Sequence, residues 1–300
     1  MTISVYLPAA LSLLLATISR IVVAHTAPTR VVAFVIAAVL CAAAATWGLV
    51  LLAATLLGDT SLVVNEALER GVQLQDPVPT LIGVTATVLL IVGTLRLVRV
   101  LRNRRATTRE LQAVCRACGT GELAVVSLNA PHAFAVPGRP GRILITRGML
   151  TALDGDERRV VLAHERAHLD GKHHWLRAVT EVCAAVNPLL IPVREAVAYL
   201  VERGADEHAA TVTGSRELVA RALAKAALAS GSTNRMPAWS VALRFTGCKI
   251  SARVAALHCD PPRPEPLVPS GVLALGVATA IAAVQATLAF YQLIYWLWPA

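Results

Sequence analysis

Two histidines flank a glutamate at four-residue spacing in His164-Glu165-Arg166-Ala167-His168. On a helix, positions i and i+4 lie one turn apart on one face, so both imidazoles can reach a single metal ion while the glutamate between them faces a metal-bound water. The chemistry open to such a group is metal-assisted hydrolysis, with Glu165 as the proton acceptor. The pattern fixes only three positions in a stretch rich in alanine and arginine, so its meaning depends on what surrounds it.

A hydrolytic zinc site uses three protein ligands and keeps a fourth position for water. One more ligand is therefore expected downstream, and two residues compete for the role. Glu202 opens Glu202-Arg203-Gly204-Ala205-Asp206, where Glu202 and Asp206 share a helix face and Asp206 could fix the tautomer of a ligand histidine. His174 completes a metzincin-like spacing from His164, with Gly171 at the turn. The apolar rhythm through Trp175, Val179, Val182 and Val186, and a downstream methionine only at Met236, weigh toward Glu202. His173 and His174 then read as solvated histidines near the end of the metal helix. His132 and His208 are candidates for stabilising a developing oxyanion, and Met149 reads as core. Cys115 and Cys118 have metal-ligand spacing but no matching second pair, and the six cysteines are expected to be reduced thiols.

Several elements must hold these residues in place. Glu122 to Ser127 reads as a strand. Ala133-Phe134-Ala135-Val136 and Ile143 to Thr146, separated by Pro137 to Gly141, read as a hairpin. Asp154, Asp156 and Glu157 form an acidic start to the helix that carries the histidines. A separate helix near Arg109 to Ala117 is expected to open the domain. An extended substrate would add to an exposed edge, and Ala133 to Val136 is the best candidate for it.

Composition sets the environment. Hydrophobic residues make up 56% of the 300 and charged residues only 16%, against roughly 25% charged in a soluble chain. This excludes an ordinary soluble globule and a disordered chain. Four apolar stretches are long enough to span a bilayer, at 5–24, 31–57, 80–98 and 268–297. The net charge of +9 comes from arginine, and Arg96, Arg99, Arg102, Arg104, Arg105 and Arg109 crowd the end of the third stretch. That end is expected to be cytoplasmic, anchored at the anionic leaflet, with no direct nucleic-acid contact. The N-terminus and the loop with Asp59, Glu66, Glu69 and Asp76 then lie outside. So does the C-terminus, where Tyr291, Tyr295, Trp296 and Trp298 form an aromatic belt and no external domain is expected. Residues 101–266 would form one compact cytoplasmic domain leading through the extended linker Pro261 to Pro266 to a fourth span in 267–300. A transporter would carry ionisable groups inside its spans, and apart from Arg20 and Arg96 near span ends there are almost none. A scaffold that had lost activity would have little reason to keep Glu165 beside both histidines and Glu202 with Asp206.

The ordered set Pro131 to Gly138, Ile143 to Gly148, Ala163 to Leu169 and Glu202 to Asp206 resembles the integral-membrane gluzincins, a group that includes HtpX and the CAAX prenyl protease. With its domain between a third and a fourth span, the chain looks most like the BlaR/MecR membrane metallopeptidases, which act as antirepressors. The resemblance implies a mainly α membrane protein of four transmembrane helices, with an α+β zincin-like domain inserted between the third and fourth. It implies one zinc ion held by His164, His168 and Glu202, with Glu165 as general base and Asp206 behind the ligands. It also implies a protein substrate, such as a winged-helix transcriptional repressor, cleaved at the plasma membrane's cytoplasmic face. No penicillin-binding sensor is expected after the fourth span, a departure from the receptor members that counts against β-lactam sensing. An HtpX-like role in membrane-protein quality control is the alternative.

Overall fold

The computed structural model describes residues 5–57, 79–231, 250–260 and 267–297. The expected loop acids, the Pro261 to Pro266 linker, Met236, Cys248 and Trp298 lie outside the described residues.

Apolar composition first decides which helices can cross a membrane. Among the described residues three have the length and hydropathy, within Pro28–Ala54, Thr80–Ala117 and Val268–Gln292. They correspond to α2 (Val31–Ala54), α3 (Thr80–Ala117) and α10 (Leu267–Leu297). The first apolar stretch folds as a shorter helix, α1 (Leu7–Val22), of 16 residues with Pro8 in its first turn. At 1.5 Å per residue it measures about 24 Å, short of a hydrocarbon core of about 30 Å. A turn containing Pro28 leads from α1 to α2. Gly276 of α10 lets that helix close on α2, since a Cβ there would stand 2.9 Å from the Ala37 Cα.

The third span and the expected domain-opening helix are one continuous helix of 38 residues. Nothing between Val98 and Ala117 breaks it, because that segment holds no Gly or Pro and is rich in Leu, Arg and Ala, all good helix formers. Its length, about 57 Å at the same rise, carries the chain from the apolar region past the arginine cluster to the sheet.

The sheet has three strands in the order β1-β3-β2: β1 (Leu123–Val126) runs parallel to β3 (Arg142–Thr146), and β2 (Ala133–Val136) pairs antiparallel with β3. Central β3 is buried throughout, and β2 is an edge. One face packs on Leu111 and Cys115 of α3, while Ile145 on the other face packs with Met149 and Leu153. Met149 belongs to the short helix α4 (Arg147–Ala152).

Next comes α5 (Gly155–Asp170), whose start is fixed by a capping box: the Asp154 carboxylate accepts from the Asp156 and Glu157 N–H groups, and Glu157 accepts from the Asp154 N–H. Glu157 is buried and paired with Lys225 at 2.6 Å. A tight reversal at Gly171 and Lys172 leads to α6 (His173–Val186), and a turn at Asn187 to Leu190 leads to α7 (Ile191–Thr213). Helices α8 (Arg216–Gly231) and α9 (Ile250–His258) pack behind α5 and α7.

The α6–α7 pair is not a freestanding part of a soluble domain. Val193 and Val197 of α7 share a buried core with Leu15 of α1 and Phe34 of α2. At the turn between α6 and α7, Asn187 Nδ2 donates to Ser12 Oγ of α1 at 3.0 Å. Val186 packs so closely on α3 that a Cβ at Gly93 would stand 3.4 Å from its carbonyl oxygen. Gly93 lies inside the apolar segment 80–98, about 4.5 Å along the helix axis before Arg96, the first of the arginines. The hairpin tip therefore dips among the apolar helices.

Candidate active site

Helix periodicity places His164 and His168 one turn apart on α5, and α7 crosses them with Glu202. The three offer ligand atoms that all lie within 4.8 Å of one another. Nε2 of His164 and Nε2 of His168 face each other at 3.1 Å, and the Glu202 carboxylate lies 3.5 Å from the first and 3.7 Å from the second. Two ring nitrogens that close must share a proton or a cation. Two imidazoles and one carboxylate are also the donor set of catalytic zinc in the His2Glu class, so the residues present fit the ion.

The atoms behind these donors fix their orientation. Asp206, one turn past Glu202 on α7, accepts from His164 Nδ1 at 3.0 Å, which leaves Nε2 for the metal side. Arg253 of α9 grips Asp206 with two bonds, Nε to Oδ2 at 2.8 Å and Nη2 to Oδ1 at 2.7 Å, and its Nη1 lies 3.1 Å from Glu202. Arg177 of α6 approaches the other Glu202 oxygen at 3.3 Å. Glu202, Asp206 and Arg253 are all at most 5% exposed. Charges buried this deeply persist only when paired.

This pairing sets the protonation states. Burial works against the Glu202 charge, but His168, His164 and Arg253 hold its carboxyl well below the usual range. Asp206 is held down against burial by Arg253 and His164. Burial also opposes a charge on His164, yet the bonds to Asp206 and Glu202 raise it to about 10. His168 lacks a carboxylate hydrogen bond, and burial, against the pull of Glu202, drives it down to about 3. Burial pushes Glu165 upward, in the direction a proton-transferring carboxyl requires.

Glu165 points toward the sheet, where it accepts a hydrogen bond from the Ala135 backbone N–H. The alternation along β2 explains why that group is available. His132 turns its N–H and carbonyl to Thr146 on β3, so Ala133 and Ala135 turn theirs to the free edge. His132 is buried, stacks on Phe134 with ring centroids 5.6 Å apart, and its Nε2 has no hydrogen-bond partner. All of these groups line a cleft of about 980 Å³, bounded by β2, α5, α6 and α7, which continues onto Ser19 and Arg20 of α1 and onto Asn103 to Leu111 of α3.

The structure thus brings together His164, His168, Glu202, Asp206 and Glu165, with Ala133 to Val136 and His132 at the rim. It does not bring in His208, which is exposed on another face of α7. His174 is excluded from the triad: its ring lies against Trp175, and its carbonyl accepts from Arg104 at 3.2 Å. His173 departs from the solvated reading, because the Gly171-Lys172 reversal folds its ring back onto His168, Nδ1 to Nδ1 at 2.9 Å. Sequence reasoning missed both Arg177 and Arg253. Arg253 lies 47 residues beyond Asp206, and one arginine in a basic chain carries no local signal. Cys115 is buried beneath the sheet and Cys118 partly so.

A helix-borne histidine pair, a glutamate from a second helix and a further glutamate beside an edge strand make a donor arrangement that fits a metallopeptidase site. The model of Peptidase family M48 matches residues 99–198, a similarity that includes His164, Glu165 and His168 and stops short of Glu202. No curated protein matches the chain, and no solved structure does.

Proposed function

We propose that the chain is a membrane-embedded zinc endopeptidase of family M48, carried by one observation: Glu202 and Asp206, beyond the matched residues, converge on the two histidines within them. His164, His168 and Glu202 would hold the ion. Bound zinc supplies a Lewis acid for the scissile carbonyl and a water whose pKa falls to about 7. Glu165, beside the triad and the β2 edge, would serve as the proton acceptor and pass the proton to the leaving amine. Asp206 keeps the His164 tautomer fixed, and Arg253 neutralises the acids behind it. A substrate strand lies along the Ala133 and Ala135 edge, which brings its peptide group beside Glu165. His132, whose Nε2 has no partner, lines the cleft beside that edge.

The arginines of α3 favour a cytoplasmic site in the plasma membrane with four spans and both termini outside. On this reading α1 crosses by thinning the bilayer locally or by extending through its flanking turns. The BlaR/MecR-like order of motifs favours a soluble winged-helix repressor as substrate and a role in signal transduction. A second reading, degradation of membrane proteins, is favoured by the extension of the cleft onto α1 and α3. Comparing new protein termini in cells carrying wild type and Glu165→Gln separates the two. Repressor fragments confined to wild type support the first, and fragments of membrane proteins support the second. Identical termini in both strains overturn the peptidase itself.

A further inference from the structure

Each metal-facing histidine needs an acceptor behind it, and the structure treats the two differently. His164 has the Asp206 carboxylate. His168 has His173, whose Nδ1 lies 2.9 Å from His168 Nδ1, with ring centroids 4.9 Å apart and planes at 81°. Resting on the metal-site reading above, we propose that His173 is the positioning residue for His168, a neutral imidazole acceptor in the place that a carboxylate fills behind His164.

The direction of the bond follows from ligation. His168 turns Nε2 toward Glu202 and His164, so a metal takes the Nε2 lone pair and the ring proton sits on Nδ1. That proton can go only to an acceptor. His173 must therefore present Nδ1 as a lone pair and carry its own proton on Nε2. The reverse arrangement, with His173 donating, would place a proton on His168 Nε2 and block the metal. His173 thus selects the ligating tautomer of its neighbour without touching the ion.

Two features of the chain exist to place this ring. Lys172 adopts φ +48°, in the left-handed region that a side-chain-bearing residue rarely enters, and this bends α6 back so that His173 meets His168. Gly171 supplies the space: a Cβ there would stand 2.7 Å from His173 Cδ2 and closer still to its Nε2. Because Gly171 itself has φ −74°, its lack of a side chain serves the neighbouring ring and not its own backbone. The glycine that completes a metzincin-like spacing in the sequence has a different use here.

The test measures zinc affinity of the full chain in detergent by chelator competition, with the visible spectrum of the Co2+-loaded protein as a second readout. His173→Leu removes the acceptor and weakens zinc binding by about 10- to 100-fold, with altered cobalt bands. His173→Asn, whose amide oxygen can occupy the Nδ1 position, restores most of the affinity. Gly171→Ala, which displaces the ring while keeping it, behaves like His173→Leu. Unchanged affinity and spectra in His173→Leu, or equal loss in the Leu and Asn variants, would overturn the proposal. A wild-type protein that binds neither metal would instead overturn the metal-site reading on which it rests.

Discussion

Arg253 holds both carboxylate oxygens of Asp206, at 2.8 and 2.7 Å, so that the acid behind His164 is shared between an imidazole and a guanidinium. The two side chains are 4% and 3% exposed. Breaking such a pair from one side strands a buried charge, at a cost of about 3–5 kcal/mol. Arg253→Met should therefore lower the unfolding temperature of the detergent-solubilised protein by many degrees, with Arg253→Lys intermediate because it cannot reproduce the two-point grip. A melting temperature equal to wild type in both variants would show that Asp206 finds other compensation.

Ligand choice is checked by metal content. Purified protein should hold about one zinc per chain, as a single three-ligand site requires. Glu202→Ala should empty it and His174→Ala should leave it filled. The opposite result would return the third ligand to the His174 spacing.

On the proposed reading Glu165 supplies a proton acceptor and no metal bond. In Glu165→Gln the zinc content and melting temperature should stay at wild-type values while peptide cleavage falls by about 10²- to 10⁴-fold. Full cleavage by this variant would place the base elsewhere.

Metal binding should be linked to pH through His164. Raised to about 10 in the metal-free protein, this imidazole carries a proton at pH 7 that zinc must displace, whereas His168, held down to about 3, carries none. Zinc uptake should therefore release about one proton from His164 near pH 7, in addition to any lost by the metal-bound water, and this ligand contribution should fall toward zero as pH rises through 10. Zinc affinity accordingly rises with pH across this window. Titration calorimetry in buffers of different ionisation heat reads the total release, and an Asp206→Asn variant releasing as many protons at pH 7 as wild type would contradict the His164–Asp206 pairing.

Orientation is tested by labelling. With the native cysteines replaced, a cysteine at Glu66 should react with a membrane-impermeant reagent in intact cells, and one at Thr211, exposed on α7, only after permeabilisation. Equal labelling of both would overturn the four-span arrangement.

The His164 to His168 pair, the capped start of its helix and the β2–β3 hairpin were legible because each rests on local spacing: i to i+4, a capping box, and two apolar runs around a Pro-Gly cluster. Glu202 and Asp206 were legible for the same reason. Arg253 and Arg177 were not, since their roles arise from chain segments that meet only in three dimensions. His173 was misread because the helical rhythm after Trp175 hides the reversal at Lys172. The join between the third apolar stretch and the helix at Arg109 to Ala117 was also missed: a change from apolar to basic composition suggests a break, but a helix has no reason to stop where its solvent changes.

The hairpin tip at Asn187 to Leu190 bears on how the protein can be handled. The turn is tied to Ser12 of α1, and Val193 and Val197 are fully covered by α1 and α2. A fragment spanning only residues 99–198 would lay that oily surface open to water and would also lack Glu202. Such a fragment should clump on expression and bind zinc poorly, so biochemistry on this chain begins with the whole polypeptide in a lipid or detergent environment.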